Sequence, residues 1–146
     1  RELYETGWMH NRVRMIVASF LVKHLRIHWM EGEKHFKNCL VDYNEASNVA
    51  QWQWVAGCGA DAAPYFRIFN PILQGEKFDK DGIYTKKWVP ELLNMPNKFL
   101  YKPWELEKKY QEQIKVVIGL NYPEPMVDHV KARNAALDAF KTIKKN

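Results

Sequence analysis

Four side chains suited to binding a phosphate and a base lie within one helical turn near the start of the chain. They are Asn11, Arg12, Arg14 and Met15. Guanidinium groups bind phosphates, amides pair with base edges, and a methionine thioether is polarizable. A solvated polar face with one buried methionine is the alternative interpretation, and helical periodicity alone favours it.

A second polar group is spaced along one face of a predicted helix. Asn44, Asn48 and Trp52 follow each other at intervals of four residues, and Asp42 comes just before them. A buried amide without partners costs about 1–3 kcal/mol, so an inward Asn48 implies a polar ligand or a capped main chain. Asn44 as a helix cap with Asn48 at the surface is the alternative. Trp54 faces another side of the helix and therefore has different surroundings.

Metal sites and common catalytic motifs are not indicated. His24 and His28 are four residues apart with His35 nearby, which is compatible with a metal pair on a helix. No HExxH glutamate lies between them and no other ligand completes the set, so we expect no metal. The absence of GxGxxG, Walker A and GxSxG motifs disfavours an ordinary dehydrogenase or hydrolase. Cys39 and Cys58 lack CxxC spacing, which predicts reduced thiols in a cytosolic protein.

The composition is typical of a basic globular protein. The 146 residues are 47% hydrophobic, which is enough for one compact domain with a core. A net charge of +5 suits a polyanionic partner, although many basic proteins bind none. No run approaches the roughly 18 apolar residues that a membrane span needs, so we expect no membrane partner. Because the chain opens on Arg1 rather than methionine, we expect a segment of a longer protein.

Helices are predicted to position all of these side chains, and the sequence contains no convincing strand. Asn44 is expected to cap the third helix and Gly57 to end it. The region 58–81 is predicted to be ordered but mostly irregular, and the basic tail 141–146 to fray. The predicted fold is therefore all-α, with a single domain over 1–146. The predicted helices span 9–25, 33–40, 45–56, 85–93, 103–117 and 126–143.

Read as a string, residues 7–15 resemble a known family signature. Their sequence GWMHNRVRM is similar to the GWMHNRxRM motif of class I cyclobutane-pyrimidine-dimer photolyases. Further segments resemble the same family in the same order and spacing, so the resemblance covers nearly the whole chain. They are WQW at 52–54, GADAAPYFRIFNP at 59–71, QGEKFD at 74–79, WVPEL at 88–92 and YP at 122–123.

The resemblance implies the C-terminal half of an all-helical FAD-binding domain. In this family a U-shaped FAD lies under a cleft that receives a thymine dimer flipped out of DNA. Excited FADH⁻ donates one electron, the cyclobutane ring splits and the electron returns, so the implied enzyme is a deoxyribodipyrimidine photo-lyase acting on damaged DNA in the cytoplasm. An N-terminal α/β domain, with an antenna chromophore such as a folate or deazaflavin, and the first helices of the FAD domain are expected upstream.

The resemblance also implies roles for individual residues. Asn48 matches the asparagine that faces flavin N5, while Trp52 and Trp29 match the first members of a tryptophan chain that carries electrons to the flavin. Asn44 stands where the family usually has aspartate, which removes a negative charge near the flavin and is expected to shift its redox potential or the protonation of its semiquinone. The implied cofactor-binding residues are Trp8, Arg14, Asp42, Asn44 and Asn48, and the implied DNA- or lesion-binding residues are Asn11, Arg12, Met15, Trp54, Arg67 and Lys77.

Three alternatives stay open within this resemblance. A cryptochrome-like photoreceptor would use the same flavin site for signalling, but Asn11, Arg12, Met15 and Trp54 favour repair. A (6-4) photolyase would place a histidine where this chain has Asn11. The third alternative is a segment that is inactive without its upstream residues, and the chain alone is expected to bind FAD weakly or not at all.

Overall fold

The computed structural model describes residues 1–61 and 67–144, the last of them by its main chain only. These residues form helices and irregular segments, and the β-type pairing among them is an isolated bridge between Ile118 and Tyr122. The predicted all-α fold is confirmed. Within the described ranges, no helix is both long and apolar enough to cross a membrane.

The described part of the chain contains eight α-helices. A π-helical turn, Phe20–His24, continues the second of them, and short 3₁₀ helices occupy Pro90–Leu92, Asn97–Phe99 and Pro103–Glu105. The α-helices are α1 Glu2–Thr6, α2 Asn11–Ser19, α3 Trp29–Cys39, α4 Glu45–Ala56, α5 Pro71–Phe78, α6 Ile83–Trp88, α7 Lys108–Gln113 and α8 His129–Lys144.

Local capping signals explain the bounds of α2 and α4. The Arg12 main-chain N–H donates to His10 Nδ1 at 3.1 Å, which caps α2. The Asn44 Oδ1 accepts from the Ser47 N–H at 3.0 Å and caps α4 as predicted. Gly57 ends α4 in the left-handed region, with a φ of 77° that side chains rarely adopt. Both predicted ends of α4 are therefore confirmed.

Capping residues and prolines also account for three differences from the predicted helices. The segment 58–81, predicted to be mostly irregular, contains α5, because Asn70 Oδ1 accepts the Ile72 N–H at 3.0 Å and Pro71 suits a first helical position. The helix predicted over 85–93 ends at Trp88, since Pro90 disfavours helical backbone in the residue before it. The helix predicted over 103–117 is instead a 3₁₀ turn followed by α7.

The remaining helices begin or end close to their predicted bounds. α3 begins at Trp29 rather than at residue 33, because His28 Nδ1 accepts the Met30 N–H at 3.3 Å and caps it. The helix predicted over 9–25 is observed as α2 with its π-helical continuation. Predicted fraying of 141–146 is not observed up to Lys144, and residues 145–146 lie outside the described ranges.

The chain divides into two compact units where its length predicts one domain. Unit 1 comprises Arg1–Phe69 with Val127–Asn146, and unit 2 comprises Asn70–Met126. Each unit has a buried apolar cluster of its own, which explains the division. The cluster of unit 1 contains Leu3, Ala18, Phe36, Leu40, Trp52 and Val55, and that of unit 2 contains Leu92, Met95, Leu100, Leu106 and Val116.

Within unit 1, α3 and α4 pack through a glycine. A Cβ atom on Gly32 would overlap the Trp52 indole, so the ring lies directly against the main chain of α3. Trp52 is only 2% exposed, and its ring meets Phe36 edge-on with centroids 5.1 Å apart. Glycine costs helix stability at an interior position, and here that cost is offset by the close packing of a large aromatic ring.

Gly32→Ala is expected to lower the free energy of unfolding by about 1–3 kcal/mol, because the added methyl group overlaps the buried indole. At an unobstructed helix-interior site the same change would be stabilising by about 0.5–1 kcal/mol. The urea midpoints of variant and parent measure the difference, and a raised midpoint would contradict the contact. Gly57→Ala is the control, since its Cβ meets no atom within 4 Å and only the left-handed backbone opposes it.

A pair of histidines, buried His24 and partly buried His129, joins α8 to the π-helical turn. His24 Nε2 and His129 Nδ1 are 2.8 Å apart, and the Phe20 ring stacks on His24 with centroids 5.0 Å apart. His24 Nδ1 is buried and forms no well-formed hydrogen bond within the described part of the chain. Burial first, and then His129, lower the pKa of His24 from its ordinary value of 6.5. The neutral form of His24 therefore belongs to the folded state.

Acid is expected to loosen α8 from unit 1. Because the folded-state pKa of His24 lies below its ordinary value of 6.5, its contribution to stability is complete above that pH and is lost as the pH falls below it. Hydrogen exchange of the α8 amides in the full-length protein, corrected for intrinsic rates, should show less protection at about pH 5.5 than at about pH 7.5. His129→Gln keeps a hydrogen-bonding partner for His24 and removes one of the two causes that lower the pKa of His24, so its loss of amide protection at low pH should be smaller than that of the parent. Equal protection of the parent at both pH values would refute this role.

Candidate functional site

A pocket of about 280 Å³ opens in unit 1 between α2, α3, α4 and the link that joins α3 to α4. It brings together most of the polar residues that the sequence singled out. Its apolar wall includes Ala18, Phe36, Leu40 and Val55, and the predicted site residues that line it are Asn11, Arg14, Met15, Asp42, Asn44, Asn48 and Trp52.

An ion pair forms one side of the pocket. Arg14 Nη2 donates to Asp42 Oδ2 at 2.8 Å, and Arg14 Nε donates to the Met9 main-chain oxygen at 2.6 Å. The side chains are 24% and 48% exposed, so the pair contributes at most about 1 kcal/mol while water reaches it. A ligand that covers the pocket would exclude that water and strengthen the attraction.

Asn48 is held in one orientation by Glu33, a residue that the sequence analysis did not identify. Asn48 Nδ2 donates to the Glu33 main-chain oxygen at 3.1 Å and to Glu33 Oε1 at 3.2 Å. The Tyr43 hydroxyl also donates to Glu33 Oε1, at 3.3 Å. Since both amide protons are engaged, the Asn48 group that remains for a ligand is the acceptor Oδ1. Glu33 lies at helical spacing between Trp29 and Phe36, on the face of α3 that packs inward, and that spacing is the signal that would have found it.

The tryptophans occupy different surroundings. Trp52 is buried and lines the pocket, as its spacing from Asn48 predicts. Trp29 and Trp54 are half-buried and pack against the same apolar cluster, but neither lines the pocket. Trp8 is 44% exposed and meets His10 edge-on with ring centroids 6.1 Å apart.

Asn11, Met15 and Arg12 lie at and beside the pocket on α2. Asn11 Nδ2 donates to Met15 Sδ at 3.8 Å, so the amide and the thioether stand together at the wall. Arg12 is half-buried and does not line the pocket. Of the four α2 residues that the sequence grouped together, Asn11, Arg14 and Met15 therefore line the pocket, and Arg12 does not.

Arg67 and Lys77 belong to different units. Arg67 is exposed in unit 1, with its guanidinium carbon 4.8 Å from the centroid of the Phe69 ring. Lys77 is exposed on α5 in unit 2, with its ammonium 5.3 Å from the Phe78 ring centroid. Residues 62–66 of the family-like run at 59–71 lie outside the described ranges.

A hydrogen-bonded carboxylate fixes the end of the helix that carries Lys77. Asp79 accepts the main-chain N–H groups of Tyr84 at 3.0 Å and Thr85 at 2.8 Å, and the Tyr101 hydroxyl lies 2.7 Å from its Oδ2. Burial opposes ionisation of Asp79, but the hydrogen bonds from Tyr101 and Thr85 outweigh it and lower its pKa. Burial and then Asp79 raise the pKa of Tyr101 to about 12, although the hydrogen bond from Thr85 opposes this rise. The network stays in one protonation state at neutral pH and holds α5 and α6 together.

The histidines that suggested a metal pair have separate structural roles. His28 caps α3, while His24 pairs with His129 of α8. Over residues 1–61 and 67–144, no group of three histidine, cysteine, aspartate or glutamate side chains is arranged to hold a metal ion. Although His24 and His28 have helical spacing in the sequence, their rings do not form a common metal site.

Known proteins match this chain from end to end. The family model for the FAD binding domain of DNA photolyase matches residues 1–142. A deoxyribodipyrimidine photo-lyase of Agrobacterium fabrum is 59% identical over 145 residues, which are 99% of this chain and 30% of that protein.

Two solved structures share the helical fold. A bacterial class III photolyase from Agrobacterium tumefaciens has a TM-score of 0.93 at 58% identity, and the match covers 100% of this chain and 30% of that one. A cryptochrome of Synechocystis sp. PCC6803 has a TM-score of 0.88 at 41% identity, with coverage of 94% and 28%. The chain thus spans about 30% of the length of the relatives that it matches.

Proposed function

Because this chain belongs to the DNA photolyase family through its FAD-binding domain, we propose that it forms the flavin- and lesion-binding part of an enzyme that repairs cyclobutane pyrimidine dimers with light. The observation that carries the proposal is the pocket of unit 1, which unites Asn48, the Arg14–Asp42 pair and Trp52. Membership in class I stays a prediction, since one similar structure is of a class III photolyase. We propose a cytoplasmic location, and we assign any antenna chromophore, a folate or a deazaflavin, to residues outside this chain.

The pocket suits one part of FAD rather than the whole cofactor. Its volume of about 280 Å³ lies at the lower end of the range of about 300–1,000 Å³ for drug-sized ligands, and FAD is larger than most of these. Phe36 and Leu40 offer apolar contact to a ring face, and Asn48 offers a polar contact to a ring edge. We therefore assign the pocket to the isoalloxazine ring, with the rest of FAD bound by residues outside this chain.

Asn48 is proposed to bind the N5 edge of the ring. Its two amide protons are held by Glu33, so its Oδ1 accepts a hydrogen bond and suits a ring position that carries a hydrogen. This favours reduced flavin over oxidised flavin, which has no hydrogen on N5. When bound, excited reduced flavin supplies one electron to the dimer and takes it back after the cyclobutane ring has split.

Asn44 and the ion pair are proposed to set the charge around the ring. Asn44 lines the pocket where the family usually has a carboxylate, and because its Oδ1 is engaged by the Ser47 N–H, its amide donors are the groups that remain for a ligand. A donor stabilises negative charge on a neighbouring ring, whereas a carboxylate opposes it. Arg14 and Asp42 balance each other, which adds fixed dipoles without an unpaired buried charge.

The lesion and the DNA backbone are proposed to contact a second set of residues. Asn11 and Met15 stand together at the pocket wall, where a flipped base would meet an amide and a thioether. We keep Arg12 and Trp54 as lesion contacts and Trp8 as a residue near the cofactor. Exposed Arg67 and Lys77 suit the DNA backbone, because phosphates are bound by accessible cations.

A cryptochrome-like photoreceptor is the second candidate function. The likeness to the Synechocystis cryptochrome, at a TM-score of 0.88, favours it. Both functions place flavin in the same pocket, so repair chemistry rather than flavin binding distinguishes them.

Repair by the full-length protein tests the proposal. With its flavin reduced beforehand, the protein is expected to remove a cyclobutane thymine dimer from an oligonucleotide under blue light and to leave it intact in the dark. An oligonucleotide with a (6-4) photoproduct is the substrate control and should be unchanged. Flavin that responds to light without dimer loss would support the photoreceptor, and a protein that binds no flavin would contradict both functions.

Trp52→Phe is expected to abolish most of the light-driven reduction of oxidised flavin while leaving repair by pre-reduced protein in place. Phenylalanine keeps an aromatic ring against Gly32 but is much harder to oxidise than indole, so electrons no longer cross this position. Transient absorption and the dimer assay measure the two activities. Trp54→Phe is the matched control, because this indole does not line the pocket, and it should keep photoreduction while weakening lesion binding. Normal photoreduction in Trp52→Phe, or repair lost with it, would show that Trp52 has another role.

A further inference from the structure

The segment that carries Arg67 is held by side chains rather than by regular secondary structure. Residues 67–69 form neither helix nor strand, and buried main-chain polar groups need partners. Lys23 Nζ donates to the Arg67 main-chain oxygen, and Ser19 Oγ accepts the Phe69 N–H at 3.2 Å. Ser19 and Lys23 are four residues apart on the helix formed by α2 and its π-helical turn, so they present one face to this segment.

Burying the Lys23 ammonium group beside a carbonyl oxygen carries a desolvation penalty. Lys23 is 5% exposed and Ser19 is 1% exposed. A neutral donor would satisfy the same oxygen without the desolvation penalty of a charge. Burial first, and then the Arg67 charge, lower the pKa of Lys23 to about 8. Lys23 is therefore still a cation at neutral pH, and it lies close enough to Arg67 for the two charges to repel.

The Arg67 side chain is oriented by the same anchored segment. Phe69 is 7% exposed, and its ring lies beneath the exposed guanidinium of Arg67 at 4.8 Å. The main chain is fixed on both sides of this contact, at the Arg67 oxygen and at the Phe69 nitrogen. The guanidinium thus rests on a buried ring, where a cation and an aromatic face attract each other.

We propose that Lys23 is a positioning residue for DNA binding, which holds the Arg67 carbonyl and so presents the Arg67 guanidinium to a DNA phosphate. The inference rests on the proposed function, in which Arg67 contacts the DNA backbone. A phosphate at Arg67 also relieves the repulsion between the two cations, so the charge of Lys23 favours the bound state. This explains why a lysine, rather than a neutral donor, occupies the buried position.

The experiment is a double-mutant cycle on the full-length protein, with Lys23→Met and Arg67→Ala made separately and together. The probe is an undamaged DNA duplex titrated over a range of salt concentrations, because a phosphate contact carries no lesion information. Arg67→Ala is expected to reduce the slope of log affinity against log salt by about 0.9, the value for one lost phosphate contact. Lys23→Met is expected to give a smaller reduction of the same sign, and none once Arg67 is absent.

A matched variant controls for charge alone. Lys34 is exposed on α3, and Lys34→Met loses the same charge without touching the anchored segment. It is expected to leave the salt slope at the parent value. If Lys34→Met changes the slope as much as Lys23→Met does, or if Lys23→Met acts equally with and without Arg67, the inference is overturned. If Lys23→Met does not fold, Lys23→Gln replaces it in the cycle; because its amide can still donate to the Arg67 oxygen, a smaller coupling to Arg67 is expected, from the lost charge alone, and no coupling at all overturns the inference.

A second measurement needs no DNA and separates this inference from the proposed function. Hydrogen exchange at the Phe69 amide, which is bonded to Ser19, is expected to speed up in Lys23→Met because the segment loses its hydrogen bond from Lys23. Unchanged exchange at Phe69 overturns the inference. Faster exchange together with no effect of Arg67→Ala on DNA affinity also overturns it, and it locates the failure in the proposed Arg67 contact rather than in the anchoring by Lys23.

Discussion

The close approach of α3 and α4 at Gly32 is the constraint on which the site depends. Because glycine has no side chain, the Trp52 indole lies against the α3 main chain and becomes one of the most buried side chains in unit 1. The same approach brings Asn48 within hydrogen-bonding distance of Glu33. A larger residue at Gly32 would separate the helices, and both the aromatic wall and the polar wall of the pocket would move with α4.

The polar groups of the pocket are oriented by the protein itself. Arg14 is held by Asp42 and Met9, Asn48 by Glu33, and Asn44 by its own helix cap. The groups that remain for a ligand are a charge pair at Arg14 and Asp42, the acceptor Oδ1 of Asn48 and the amide donors of Asn44. Groups oriented before a ligand arrives need little reorganisation when charge moves nearby, which is the property that an electron-transfer site requires.

The π-helical turn after α2 places two ionisable side chains inside unit 1. Lys23 faces the segment that carries Arg67, and His24 faces α8. A π-helical turn is rare in proteins and occurs often at functional sites, because it changes the face that the following side chains present. Here this turn connects the helix that lines the pocket to the segment proposed to contact DNA. The π-helical turn thus positions both the segment that carries Arg67 and α8 against the helix that lines the pocket.

The sequence by itself determined the features that rest on neighbouring residues. The all-α class, both ends of α4 and the face shared by Asn48 and Trp52 follow from caps, glycines and helical spacing, whose forces act over a few residues. The α5 helix also had such a signal, in Asn70 and Pro71, and the density of glycine and proline around it obscured the signal. Glu33 and Asn48 are 15 positions apart, Lys23 and Arg67 are 44 apart, and His24 and His129 are 105 apart. Only the tertiary structure decided these contacts, because the partner of a buried polar group depends on which helices pack together, and local spacing carries no record of that packing.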